Sequence, residues 1–283
     1  MHDYSDRDTV VSGAVYYAGT LEQPLFCYAG SAPAGEPETN VEFVPHSVAI
    51  RGVRQAAPAL RLEVEGAAVF EHRSAMRSFH DETELRRVGY AEAAAIARAA
   101  TGAAHVVVFD HNVRRGASAC EPSDNALPAG PACAHKRPVF HVHTDFTADS
   151  APLRARAILG TTLASARRIA QVNVWRPITG PVRDSPLALC DASSVAPADL
   201  VAAELRYPDR TGEIYYVRFN PAHRWYYLPE MRTDEVWVFK NYDAATDGRA
   251  RFTPHTAFLD PRQDESVPAR ESIEFRTLAV FAD

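Results

Sequence analysis

The stretch Val139-Phe140-His141-Val142-His143-Thr144-Asp145-Phe146 decides how the rest of the chain is read. Its apolar start, Val139 to His143, predicts a strand. Residues two apart on a strand share a face, so His143 and Asp145 can reach one metal ion together. An imidazole and a carboxylate leave a metal needing at least one more ligand. His255, 112 residues after His143 in Phe252-Thr253-Pro254-His255-Thr256-Ala257-Phe258, is the best candidate. His141 shares the strand face but has no carboxylate two residues on.

Two histidines and one carboxylate on one face of an octahedron leave three positions open, which is the facial triad of non-haem Fe(II) oxygenases. Such a site has room for 2-oxoglutarate in two positions and O2 in the third. The downstream sequence strengthens this reading. Fifteen residues after His255, Arg270-Glu271-Ser272 opens the strand Ser272 to Phe281. A guanidinium fork matches a carboxylate bidentately, and the Ser272 hydroxyl, on the same strand face as Arg270, adds a third donor. Arg276, further along the strand, is the second candidate for that carboxylate. The same three ligands could instead hold Zn or Mn in a hydrolase or isomerase, which gives Arg270 and Ser272 no task. A non-catalytic partner protein that keeps the fold is the other alternative.

Outward from the motif, strands are predicted at Ala170–Trp175, Leu187–Cys190, Glu213–Phe219, Glu235–Lys240 and Ser272–Phe281, with a short helix at Ala198–Leu205. Ser150 and Pro152 start a helix predicted to run to about Arg168. Upstream, strands are predicted at Thr9–Ala18, Val44–Val53, Leu60–Phe70 and Ala104–Phe109. A helix is predicted from Glu84 to Ala100, with Gly102 just past its end. Residues 112–138, rich in Pro, Gly and Ala, predict a long loop placed to act as a lid. Many short strands after a helical segment point to a mainly β chain with helices (α+β), a double-stranded β-helix or jelly roll with an N-terminal α/β extension. No linker interrupts it, so residues 1–283 read as one oxygenase domain, with 1–138 as extension and lid and 139–283 as jelly-roll core.

The composition narrows the partners. With 46% hydrophobic residues the chain can bury a sizeable core, and a net charge of −6 without a basic stripe argues against nucleic acid. No apolar run of about 18 residues suggests a membrane span, and the start Met1-His2-Asp3-Tyr4 lacks the features of a leader, so a cytoplasmic setting is expected. Cys27, Cys120, Cys133 and Cys190 match no CxxC pattern and read as free thiols, although Cys120 and Cys133 flank the long loop and could approach each other.

Several longer stretches carry a family resemblance: Val107-Val108-Phe109-Asp110-His111, Asn173-Val174-Trp175-Arg176-Pro177, Asp184-Ser185-Pro186-Leu187-Ala188, Asn220-Pro221-Ala222-His223-Arg224-Trp225-Tyr226-Tyr227 and Phe239-Lys240-Asn241-Tyr242-Asp243. From about residue 40 onward the chain resembles the hydroxylase/desaturase branch of the Fe(II)/2-oxoglutarate dioxygenase superfamily. That branch includes gibberellin desaturases, aspergillic acid hydroxylases and cephamycin methoxylation proteins of microbial secondary metabolism. The resemblance implies a double-stranded β-helix, Fe(II), 2-oxoglutarate, O2 and a small-molecule substrate. It also implies a tyrosine donating to the cosubstrate, for which Tyr227 is the candidate.

Arg176, a cation closing an apolar strand, needs a buried partner, either 2-oxoglutarate, a substrate carboxylate, Asp184 or Asp191. Lys240 is read as lining the pocket or pairing with Asp243. His223 is read as a substrate contact or a turn residue, while Trp175, Trp225 and Trp237 are read as core.

Overall fold

The structure is a computed structural model that describes residues 10–19, 24–30, 32–54, 59–116, 136–160, 166–263 and 267–282. Its strands are β1 (Val10–Ala18), β2 (Leu25–Tyr28), β3 (Phe43–Gly52), β4 (Ala67–Glu71), β5 (His105–Arg115), β6 (His143–Thr144) and β7 (Arg168–Pro177). They continue with β8 (Leu187–Cys190), β9 (Leu200–Arg206), β10 (Thr211–Val217), β11 (Trp225–Tyr227), β12 (Glu235–Asp243), β13 (His255–Ala257) and β14 (Glu271–Phe281). The helices are α1 (Glu82–Glu84), which runs through a π-helical turn at Leu85–Gly89 into α2 (Tyr90–Thr101), and α3 (Ser150–Leu159).

The strands form a nine-stranded sheet, β1-β3-β11-β8-β13-β6-β10-β9-β2, and a five-stranded sheet, β4-β12-β7-β14-β5. Both curl as a jelly roll. Trp175, Leu187, Leu189, Trp237 and Phe239 fill the space between them. The chain's first half is woven into both sheets. β4 and β5 form the two edges of the smaller sheet, while β1 pairs with β3 over nine residues. Bridges from Ala14 to Leu259 and Tyr16 to His141 bring β1 back across the larger sheet, enclosing Tyr17, Ile50, Trp225 and Phe258. On the other side, α2 sets Ile96 and Ala97 against Val172, Val174 and Phe275. Asp81 caps this helical run by accepting from Thr83 and Glu84 N–H, and Gly102 at φ 69° ends it in the left-handed conformation that glycine adopts without steric cost.

Five expectations need correction. Ala198–Leu205 is not a helix: a 3-10 turn at Pro197–Asp199 leads into β9, which pairs with β10 over seven residues. Ala, Glu and Leu favour helix, but alternate burial of Val201 and Ala203 against the neighbouring strand outweighs that preference. Leu60–Phe70 is turns up to Gly66, whose φ of 84° delays the strand to Ala67. The segment before the motif is extended but forms no ladder, because Val139 O accepts from Ala257 while Val142 N donates to Tyr16. The helix from Ser150 stops at Leu159, and by Arg168 the chain is already in β7. Of the long loop, Asn112–Arg115 belong to β5, and residues 117–135, with Cys120 and Cys133, lie outside the described residues.

Candidate active site

β6 ends at Thr144, and β13 pairs with both β6 and β8, so that His255 sits opposite His143 and Leu189. Leu189 belongs to the packing between the sheets, so this register turns His255 inward. One ligand atom from each of His143, Asp145 and His255 lies within 4.8 Å of the others. The two imidazole centroids are 4.4 Å apart, and Phe239 packs 4.8 Å from the His255 ring.

Backbone carbonyls fix both histidines. His143 Nδ1 lies 3.0 Å from His141 O, and His255 Nδ1 lies 3.1 Å from Thr253 O. A carbonyl only accepts, so each Nδ1 carries the hydrogen and each Nε2 keeps its lone pair for a metal. Burial, with His255 alongside, holds His143 well below the usual histidine range and keeps it neutral. Burial alone would raise the Asp145 carboxyl, but the Arg276 guanidinium, together with the Asn173 amide, outweighs it and holds Asp145 ionised. Two imidazoles and one carboxylate fit a divalent iron with open positions.

A narrow cleft runs from these side chains to Arg270, lined also by Arg114, Trp175, Leu187, Thr256 and Glu274. Arg270 is 4% exposed; its Nη1 donates to Ser185 O, its backbone N donates to Asp184 Oδ2 at 3.0 Å, and its guanidinium lies 5.5 Å from the Trp175 ring. Burial pushes Arg270 down to about 9, with Asp184 opposing, so it remains a cation at neutral pH. Its Nε and the Ser272 Oγ are buried without a hydrogen-bond partner among the described residues. Buried donors left unpaired are costly, and a dicarboxylate such as 2-oxoglutarate supplies the acceptors they lack. Gly116 secures this end: its N donates to Arg270 O at 2.6 Å, and a Cβ there would overlap the Asp184 carboxylate.

Arg276 is arranged differently. Its Nη2 donates to Asp145 Oδ1 at 3.1 Å, its Nε to Glu274 Oε1 at 3.3 Å, and its Nη1 reaches Asp110 Oδ2 at 3.5 Å. The fork that a cosubstrate would need is therefore engaged by protein carboxylates.

Two other expected contacts are not brought to the cluster. Arg176 follows Trp175, whose ring lies between the sheets, so it faces the opposite way. There it donates to the carbonyls of His72 and Thr233 and lies 5.6 Å from the Phe79 ring. Neither Asp184 nor Asp191 is its partner in these contacts. Tyr227 lies opposite Ala188 in the register and packs with Phe258 in the second core, where Arg262 Nη2 donates to its hydroxyl at 2.6 Å. Lys240 is wholly buried and bonds Glu63 and Asp243, which is its ion-pair reading and not its pocket reading. His223 bridges Asp199 and Tyr17 in the turn, and His141 stacks on Phe43. Sequence reasoning missed Asn173 and Asn241, which both donate to Asp145 Oδ2, and the cleft-lining Arg114 and Glu274. Both asparagines lie in stretches that carry the family resemblance, which was the available signal.

Comparison with known proteins gives the family. A family model described as an oxidoreductase/YMDC permease-like domain matches residues 15–281. The hydroxylase/desaturase efuI of Hormonema carpetanum is 32% identical over 263 residues, covering 87% of each chain. The Fe(II)/2-oxoglutarate-dependent dioxygenase nvfI of Aspergillus novofumigatus is 31% identical over 270 residues, covering 92% of each. A solved structure of the iron and alpha-ketoglutarate-dependent endoperoxidase NvfI superposes with a TM-score of 0.82 at 27% identity, over 97% of this chain and 99% of that one. With the jelly roll, the clustered triad and relatives matched over nearly their whole length, the chain belongs to the Fe(II)/2-oxoglutarate-dependent dioxygenases, in their hydroxylase/desaturase branch.

Proposed function

We propose that His143, Asp145 and His255 hold the iron of this enzyme and that Arg270 and Ser272 hold the far carboxylate of 2-oxoglutarate. The observation that carries this reading is Arg270, which lines the cleft with the three ligands and whose buried Nε, like the Ser272 Oγ two residues on along the same strand, has no hydrogen-bond partner among the described residues. The chemistry that iron supplies when bound is oxidative decarboxylation of 2-oxoglutarate to succinate and CO2, coupled to oxidation of a C–H bond. The protein's part is orientation and exclusion of water. The His141 and Thr253 carbonyls aim the two Nε2 atoms, Trp175 and Leu187 wall the cleft, and Arg270 fixes the cosubstrate's direction.

The substrate is read as a small molecule of secondary metabolism, and the outcome as hydroxylation, desaturation or ring closure. The relatives' names support this reading, since they include hydroxylase/desaturases and an endoperoxidase. Residues 1–283 are read as one oxygenase domain. No helix among the described residues is long and apolar enough to cross a membrane. The free thiols of Cys27 and Cys190 suit a reducing, cytoplasmic compartment. An accessory, non-catalytic role would leave the ligand cluster and the waiting donors without a purpose. His255→Ala is expected to abolish 2-oxoglutarate-dependent succinate formation, and normal turnover in that variant would sink the assignment.

A further inference from the structure

Asp145 is gripped from three neighbouring strands of the opposite sheet. Asn173 on β7 donates Nδ2 to Asp145 Oδ2 at 2.7 Å, and Asn241 on β12 donates Nδ2 to the same oxygen at 3.0 Å. Arg276 on β14 donates to Oδ1 at 3.1 Å. Asn241 also accepts the Asp145 backbone N–H at 3.2 Å, so one carboxamide reads both the main chain and the side chain of that residue.

The sheet is built around this grip. Asn173 and Arg276 lie directly opposite each other in the β7–β14 register. Asn241 is the residue skipped where β12 slips against β7 between Lys240 and Tyr242. A second slip, between Arg276 and Thr277, occurs in the β14–β5 pairing. Bulges re-aim side chains, and both of these sit in the row that meets Asp145.

We infer that Asn173, Asn241 and Arg276 are positioning residues that make Asp145 a one-oxygen metal ligand. The two amides occupy Oδ2, while Oδ1, which accepts from Arg276 on one side, lies 4.0 Å from His143 Nε2 and is the oxygen that faces the metal. A carboxylate free to turn could chelate through both oxygens and take a position that the cosubstrate or O2 needs. The five-stranded sheet thus sets how many sites stay open. This inference rests on the metal reading above.

The test uses Co(II) as an oxygen-stable probe, titrated into the full-length apoprotein and into Asn173→Leu, Asn241→Leu and Arg276→Gln, with His255→Ala as control. Partners that orient metal ligands typically matter about 10–100-fold in affinity, and each clamp variant is expected to weaken Co(II) by that order. At saturating Co(II), 2-oxoglutarate should also bind more weakly to the asparagine variants. Arg276→Lys, which keeps one donor, should recover part of the loss. Should a leucine prevent folding, the alanine variant takes its place. Co(II) affinity within about twofold of wild type in the asparagine variants, with His255→Ala impaired, overturns the clamp alone. A lowered melting temperature with unchanged Co(II) affinity does the same, since it marks a structural role. Unimpaired Co(II) binding by His255→Ala overturns the metal reading itself.

Discussion

Arg270 and Arg276 are six positions apart and both reach the interior lined by β14, yet they are prepared for opposite tasks. Arg270 is buried against Trp175, its Nε has no partner among the described residues, and burial outweighs the nearby Asp184 to push it down. Arg276 meets Asp145, Glu274 and Asp110, which together outweigh its burial and raise it above the usual arginine range. The lesson is that a buried guanidinium declares its function by what it lacks. The one with spare donors awaits an anion, and the one already engaged by three carboxylates holds other protein groups in place.

The largest expected effect is at Arg270. Removing one partner of a buried charged pair costs about 2–5 kcal/mol, so Arg270→Met should raise the 2-oxoglutarate Kd on the order of 30-fold to several thousand-fold, read by titration at saturating metal. If instead Arg276→Gln had the larger effect on that Kd, the comparison would be reversed. A smaller effect is expected at Ser272, where one hydroxyl donor is worth about 1 kcal/mol. Ser272→Ala should weaken 2-oxoglutarate roughly fivefold, and no change would confine the anchor to Arg270. The smallest effect is at Tyr227, which bonds Arg262 away from the cleft. Tyr227→Phe should lose about 1 kcal/mol of stability in denaturant unfolding and leave 2-oxoglutarate binding unchanged. Weakened binding would return Tyr227 to the site.

The triad was legible because H-x-D on an extended segment needs only the two-residue period, and R-x-S uses the same period. The inward residues of β7 were not legible. Nine of that strand's ten residues are buried, so no alternation tells Trp175 and Asn173 from Arg176. The asparagine–arginine clamp was hidden for a related reason. Its members lie on three strands brought together by register and by a bulge at Asn241, neither of which leaves a local pattern. β9 was misread because Ala202, Ala203, Glu204 and Leu205 carry helix preference, while the partner strand that overrides it lies beyond a turn. The N-terminal half read as an addition to the jelly roll, but it supplies both edges of the smaller sheet.

The most direct test of the central claim is an anaerobic titration of 2-oxoglutarate into the Fe(II)-loaded protein, followed by visible absorption. The account predicts a metal-to-ligand charge-transfer band that saturates in wild type, needs far more 2-oxoglutarate in Arg270→Met, and is missing in His255→Ala. A wild-type protein that binds Fe(II) but develops no band, or a band that survives in His255→Ala, would contradict it.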